Sequence, residues 1–180
     1  MSVEITYFVH GTTIDNETGK ATGWLPGELS DLGIQQSKEL GELVKDKKFD
    51  VVISSDLQRA IDSAKCAFED KYEIIQDKRL REANYGDWNG GDEHFKNNLN
   101  KYISNAFPNG ESYKQIENRI KDFLNYLKKE YDGKKVALVA HQAPQLAIEV
   151  LLNNKTWKQS IETDWRKVGQ WQPGWKYKIK

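Results

Sequence analysis

The sequence predicts an α/β protein: a three-layer α/β/α sandwich with a mainly parallel central sheet, helices on both faces and an edge strand near the C-terminus. Three short segments, residues 5–9, 50–54 and 136–140, are mostly apolar and rich in β-branched residues, which is typical of strands buried on both faces. Amphipathic helical patterns lie between these segments, and such alternation favours a parallel sheet with helical crossovers. Residues 175–179 alternate apolar with polar side chains, which indicates the edge strand.

Capping signals support the predicted helices. Ser30 is the expected N-cap of a helix over residues 31–46, whose apolar face is predicted to contain Leu32, Leu40, Leu43 and Val44. A short strand is expected near residues 72–75, and residues 84–111 are expected to form an irregular substrate loop. Two further helices begin with the Ser-x-x-Gln pattern of a capping box: Ser55/Gln58 and Ser112/Gln115.

Composition narrows the class of protein. A length of 180 residues predicts a single domain over residues 1–180. The 27 basic and 27 acidic residues cancel, which argues against bulk electrostatic binding of nucleic acid or of an anionic membrane. No stretch has a transmembrane length or a signal-peptide pattern, so we expect a cytoplasmic protein. The single Cys66 has no internal disulfide partner and is predicted to be a buried, inert thiol.

Two histidines and an arginine follow the predicted strands. His10 comes directly after residues 5–9, His141 directly after residues 136–140, and Arg59 shortly after residues 50–54. Ligands bind at the carboxyl ends of the strands in such sheets, so these side chains are expected to face one crevice. Gly11 would permit a sharp turn and a close approach of the backbone to a ligand. The sequence therefore predicts an anion site containing an imidazole nucleophile.

Other chemistries fit the sequence less well. A metal site would need a third and usually a fourth ligand, and His94 has no neighbouring histidine or cysteine pair. A nucleotide-binding P-loop is disfavoured because Ala21 follows Lys20 where Ser or Thr would hold magnesium. We therefore expect neither a metal nor a cofactor. Glu82 follows the short strand near residues 72–75, where a carboxyl group in a partly dry pocket could protonate a leaving alkoxide.

Taken together, these motifs resemble the histidine phosphatase superfamily, which includes the phosphoglycerate mutases. His10 opens the segment that is similar to the family's first motif, and Asn16 follows at the family's spacing. One matching segment is weak evidence, but seven in the family's order are strong. The matching segments are residues 10–13, 21–24, 28–33, 54–60, 79–90, 108–112 and 139–141.

This resemblance implies a metal-independent, acid-type phosphatase that acts on a small phosphate ester. His10 would accept the phosphoryl group as a phosphohistidine, and Glu82 would protonate the leaving oxygen and then activate water. Such a transfer depends mainly on positioning and charge stabilisation. His141 joins His10 and Glu82 as the third expected catalytic residue, and the expected substrate-binding residues are Arg59, Asn16, Thr22, Gly23, Gly11 and Gln142.

The chain departs from the family pattern at several positions. Val9 replaces the arginine that precedes the nucleophile, Thr12 replaces a glutamate, and Gln142 replaces a glycine after the second histidine. Losing a guanidinium removes charge-assisted hydrogen bonds worth about 1.5–3 kcal/mol each. These changes favour a less highly charged substrate, or a member of the family that binds a phosphorylated or other polar ligand without turnover.

Two further alternatives remain open from the sequence. A phosphoglycerate mutase is disfavoured because such mutases resemble longer chains with additional segments around the site. Trp165, Trp171 and Trp175 form an aromatic C-terminal segment, which we interpret as cover for the edge of the sheet. The alternative for this segment is a platform for an apolar substrate group or a contact between two copies in a homodimer.

Overall fold

A mixed, mainly parallel sheet forms the centre of the molecule. The computed structural model describes residues 1–168 and 174–180. Within these residues the strands are β1 (Val3–Val9), β2 (Lys20–Ala21), β3 (Val51–Ser54), β4 (Ile74–Gln76), β5 (Gly91–Asp92), β6 (Lys135–Ala140) and β7 (Trp175–Ile179). The central sheet has the order β4-β3-β6-β1-β7, in which β7 is antiparallel to β1 and the other neighbours are parallel. β2 and β5 form a separate antiparallel pair.

Helices cover both faces of this sheet. The α-helices are α1 (Ile14–Glu17), α2 (Asp31–Val44), α3 (Gln58–Phe68), α4 (Tyr113–Glu130), α5 (Gln142–Asn153) and α6 (Trp157–Glu162), and the 3-10 helices are Lys78–Leu80, Gly86–Trp88, Glu93–Tyr102 and Trp165–Val168. Neighbouring residues of β1 show the two faces. Tyr7 belongs to the core that contains α4 and α5, whereas Phe8 belongs to the core that contains α2 and α3. The predicted fold class and edge strand are therefore confirmed.

The capping predictions have mixed outcomes. Ser30 caps α2, and Ser112 forms the predicted capping box with Gln115 at the start of α4. The predicted box at Ser55 is wrong, because α3 begins after Leu57 and has no side-chain cap. The Ser55 hydroxyl instead accepts the Leu57 backbone N–H at 3.3 Å within the turn after β3.

Several predicted burials also need correction. The buried stripe of α2 contains Gly33, Ser37, Leu40 and Val44. Leu32 and Leu43 lie off that stripe and are exposed. Cys66 is likewise exposed, because the buried face of α3 is formed by residues such as Ala60, Ala64 and Phe68. The predicted irregular loop contains β5 and the 3-10 helix Glu93–Tyr102, while Trp171 lies outside the described residues.

No helix in the described part of the chain combines the length and the apolar character that crossing a membrane requires.

Candidate active site

Two neighbouring strands bring the distant histidines together. β1 and β6 are parallel and in register, with Val9 opposite Ala140, so the residues that follow them emerge side by side. The His10 backbone N–H donates to the Ala140 carbonyl at 3.0 Å. The His10 and His141 rings then lie with their centroids 5.0 Å apart. Strand register therefore brings the two imidazoles together.

The hydrogen bonds of His10 define its tautomer. Its Nδ1 lies 2.7 Å from the Gly11 carbonyl oxygen, which can only accept, so Nδ1 carries the proton. Nε2 is then unprotonated, and it accepts from Arg59 Nε at 3.3 Å. Burial, followed by the charge of Arg59, lowers the pKa of His10 to about 3. His10 is therefore a neutral imidazole near neutral pH, and the Nε2 lone pair is engaged by one long hydrogen bond from Arg59.

His141 is fully buried, with 0% of its surface exposed. Tyr7 fixes its backbone, because the hydroxyl donates to the His141 carbonyl at 2.7 Å and accepts the His141 N–H at 3.1 Å. Neither ring nitrogen has a hydrogen-bond partner among the residues described. Burial, followed by the charge of Arg59, holds the pKa of His141 well below its usual value. The neutral ring thus has one free donor and one free acceptor.

Arg59 is buried, with 2% exposure, and backbone carbonyls hold it. Nη2 donates to Gly23 at 2.8 Å, while Nη1 donates to Leu25 at 2.8 Å and to Pro26 at 3.2 Å. With the bond from Nε to His10, four of the five guanidinium N–H groups are engaged. One N–H, on Nη2, remains without a hydrogen bond to the described residues.

The loop containing Thr22 and Gly23 shapes this arginine site. Gly23 has a positive φ of 56°, and a Cβ there would lie 1.8 Å from Asn89 Oδ1. Glycine is therefore required for the loop to direct its carbonyl toward Arg59. Thr22 is buried beside it, and neither residue lines the cavity described below. Gly23 holds Arg59 directly through its carbonyl, and the Thr22 carbonyl accepts the N–H of Leu25, whose own carbonyl accepts from Arg59.

The N-terminus of α5 holds the Glu82 carboxylate. Oε1 accepts backbone N–H groups from Ala83 at 2.8 Å and Ala143 at 3.0 Å, and Oε2 accepts from Gln142 at 3.2 Å. The first turn of a helix offers such unpaired N–H donors and a favourable dipole for an anion. Three hydrogen bonds therefore hold the Glu82 carboxylate, and only 8% of the residue is exposed.

A cavity of about 370 Å³ opens beside His10 and Glu82, whereas His141 and Arg59 lie outside its lining. Of the predicted residues, His10, Glu82, Asn16 and Gln142 line it. The complete lining is Val9, His10, Thr12, Asn16, Gln36, Glu82, Lys96, Gln142, Trp165 and Arg166. The cavity thus has a candidate nucleophile and a candidate acid in its wall, and its size suits a small ligand.

The need for glycine at position 11 comes from packing, and not from the predicted close approach of the backbone to a ligand. A Cβ at Gly11 would lie 2.3 Å from the Gly33 carbonyl oxygen, and the Gly11 N–H donates to Ser63 Oγ at 3.0 Å. Because its N–H is engaged by the protein and its Cα abuts α2, Gly11 is needed for packing of the β1 end against that helix.

Sequence reasoning missed two cations in the cavity wall. Lys96 comes from Glu93–Tyr102 and pairs with Glu93 at 2.7 Å. Arg166 comes from Trp165–Val168 and pairs with Asp164 at 2.9 Å. Neither lies in a segment with a recognisable motif, so only the folded chain shows that they reach the cavity. In the described part of the chain, no group of three or more His, Cys, Asp or Glu side chains could hold a metal ion.

Comparison with known proteins supplies independent evidence. Residues 7–170 match the family model of the histidine phosphatase superfamily, branch 1. Over 144 residues the chain is 33% identical to the uncharacterized phosphatase PhoE of Bacillus subtilis, covering 79% of this chain and 72% of the relative. It is 28% identical over 149 residues to phosphoserine phosphatase 1 of Hydrogenobacter thermophilus, covering 77% and 71%.

Solved structures agree with the sequence relatives. A mycobacterial glucosyl-3-phosphoglycerate phosphatase superposes with a TM-score of 0.79 at 25% identity, covering 90% of this chain and 84% of that one. 2,3-Bisphosphoglycerate-dependent phosphoglycerate mutases are also among the matching relatives. The family match spans nearly the whole chain and includes both strand-end histidines. The chain therefore belongs to the histidine phosphatase superfamily.

Proposed function

We propose that this protein hydrolyses a small phosphomonoester through a phosphohistidine at His10. Membership of the superfamily and the phosphatase names of its relatives support an enzyme that hydrolyses phosphate esters. The observation that carries the finer proposal is the His10 tautomer: the proton on Nδ1 leaves Nε2 unprotonated in a cavity that also contains Glu82, and its lone pair can attack once the long 3.3 Å bond from Arg59 Nε is released.

In the first step, His10 Nε2 attacks phosphorus and the bond from phosphorus to the ester oxygen breaks. Protonated Glu82 gives its proton to the departing oxygen, so the leaving group departs as a neutral alcohol. In the second step, water attacks the phosphohistidine and ionised Glu82 removes its proton. Inorganic phosphate leaves, His10 regains its lone pair, and Glu82 is protonated again.

Arg59 and His141 are placed to stabilise the phosphoryl group. The second Nη2 hydrogen of Arg59 and the one ring N–H of neutral His141, which has no partner among the residues described, are the donors beside His10. Since Arg59 is held by three carbonyls before any ligand binds, little reorganisation is needed during the reaction. We assign Asn16 to a substrate contact at the cavity wall, and Gln142, Thr22, Gly23 and Gly11 to support of that wall.

A second candidate function is binding of a phosphorylated ligand without turnover. Two observations favour it. Val9 replaces the family's first arginine, and four N–H groups of Arg59 are already hydrogen-bonded within the protein. In that case the cavity would retain phosphate but would form no covalent intermediate.

Hydrolysis of p-nitrophenyl phosphate and a panel of phosphate esters tests the proposal. Wild type, His10→Ala and His94→Ala are compared across about pH 5–8. His94 is the matched control, because it is exposed and does not line the cavity. We expect His10→Ala to lose activity by about 10³-fold or more and His94→Ala to retain it.

Acid quenching with labelled substrate then tests the intermediate. Label trapped on wild type and absent from His10→Ala would support the phosphohistidine. Ester hydrolysis that persists in His10→Ala would contradict it. Phosphate binding without hydrolysis in wild type would favour the second candidate function.

A further inference from the structure

Arg166 has a buried cationic donor that no group in residues 1–168 or 174–180 satisfies. It lines the same cavity as His10 and Glu82. Its Nη1 is buried and has no hydrogen-bond partner in the part of the chain that the structure describes. Buried polar groups are normally hydrogen-bonded, so such a donor calls for an explanation. An anionic oxygen bound in the cavity would satisfy it.

Side chains hold this guanidinium in place. Arg166 Nε lies 2.9 Å from the Asp164 carboxylate, and Nη2 donates to Gln145 Oε1 at 3.4 Å. The Asp164 side chain is 4% exposed, and it also accepts a hydrogen bond from the side-chain amide of Gln142. Nε and Nη2 are thus engaged, and Nη1 is the guanidinium nitrogen without a partner among the residues described.

Two departures from the family pattern meet at this point. Val9, which replaces the family's arginine, lines the same cavity as Arg166. Gln142, which replaces the family's glycine, supplies the amide bonded to Asp164. Besides burial and Arg59, the charge of Arg166 lowers the pKa of His10, so the guanidinium acts electrostatically on the nucleophile. Val9, where the family has an arginine, and Gln142, where the family has a glycine, therefore both line the cavity that Arg166 lines.

We propose that Arg166 binds a phosphoryl oxygen of the substrate through Nη1, in place of the guanidinium that Val9 lacks, and that Gln142 and Asp164 position it. The assignment rests on the proposed function only in taking a phosphate ester as the ligand. Arginine suits this role because its planar guanidinium can bond Asp164 on one edge while it presents a donor to phosphate on another. Lys96 fits it less well, because its single ammonium group is already paired with Glu93.

Binding of inorganic phosphate, measured by titration calorimetry, tests the proposal without requiring turnover. We expect Arg166→Gln to weaken phosphate binding by about 10- to 100-fold, which is the loss of one charge-assisted hydrogen bond. Lys167→Gln is the matched control, because it removes an exposed cation from the adjacent position and should leave the dissociation constant unchanged. Thermal unfolding of each variant checks that the fold is retained.

A double mutant separates binding from positioning. Gln142→Gly should weaken phosphate binding by a smaller factor than Arg166→Gln. The double variant should bind no more weakly than Arg166→Gln alone, because residues acting through one contact are not additive. Additive losses would overturn the positioning role of Gln142. If Arg166→Gln unfolds, Arg166→Lys keeps the charge, and we expect it to bind phosphate more weakly than wild type.

The outcomes distinguish this inference from the proposed function. Unchanged phosphate affinity in Arg166→Gln would overturn the inference, even where wild type hydrolyses esters through His10. Phosphate binding that depends on Arg166 in a protein without esterase activity would support the inference and overturn the proposed function. A wild-type protein that binds no inorganic phosphate would overturn the inference.

Discussion

The two halves of the cavity wall are held by different means. In the first half, backbone groups hold the side chains: one carbonyl orients His10, three N–H groups hold Glu82, and three carbonyls hold Arg59, which bonds to His10 without lining the cavity. In the second half, side chains hold Arg166. Backbone anchors arise from the fold and survive most substitutions, whereas a side-chain anchor can be gained or lost by a single substitution. The half that contains His10 and Glu82 is therefore fixed, and the half that contains Arg166 can be changed by substitution.

The Glu82→Gln variant should give the largest effect in the backbone-anchored half. An amide cannot donate a proton to the leaving oxygen or accept one from water, so we expect kcat for an alkyl phosphate to fall by about 10²–10⁴-fold. p-Nitrophenolate leaves without protonation, so this ester should still give a stoichiometric burst before slow turnover. Stopped-flow absorbance measures the burst. Equal losses for both esters, with no burst, would contradict the assigned role of Glu82.

Comparing Arg59→Lys with Arg166→Lys tests the difference between the two halves directly. Lysine cannot reach three carbonyls and His10 at once, so Arg59→Lys should lower kcat/KM by about 10²-fold or more. It should also lower the free energy of unfolding by about 3 kcal/mol, because buried carbonyls lose their donors. Arg166→Lys should weaken phosphate binding but change stability by less than about 1 kcal/mol. Urea denaturation measures both stabilities, and similar losses at the two positions would contradict the comparison.

The two imidazoles predict an acid-sensitive fold. Below about pH 6.5 the unfolded chain protonates both histidines, whereas folded His10 does so only near pH 3 and folded His141 stays neutral well below its usual pKa. The unfolded state therefore binds more protons in this window. Each imidazole then lowers the free energy of unfolding by about 1.4 kcal/mol for each pH unit that the pH falls.

Urea denaturation between about pH 6 and 4 measures this slope. His141→Gln should flatten it by about 1.4 kcal/mol per pH unit, and His94→Gln serves as the control for removing an imidazole. A slope that is unchanged in His141→Gln would show that His141 is protonated in the folded state.

Individual residues show which features of the fold and of the candidate site could be predicted from the sequence alone. Apolar runs that end in His10 and His141 predicted both the parallel sheet and the shared crevice, because parallel strands necessarily end at one edge. The capping box at Ser112 was also predictable, since its pattern is local. The predicted capping box at Ser55 was wrong because the Ser55 hydroxyl accepts the Leu57 N–H within the turn after β3. The predicted burial of Cys66 was wrong because burial depends on which face of α3 meets the sheet.

The sequence by itself determined the sheet, the order of its motifs and the placement of two histidines, a glutamate and an arginine near one edge. These features depend on local periodicity and on strand direction, which a single chain displays directly. Only the tertiary structure decided that Gly11 packs against Gly33, that Arg59 is held by the loop at residues 23–26, and that Arg166 enters the cavity. These contacts join residues distant in sequence through packing and hydrogen bonding, and such contacts leave no periodic signal in the chain.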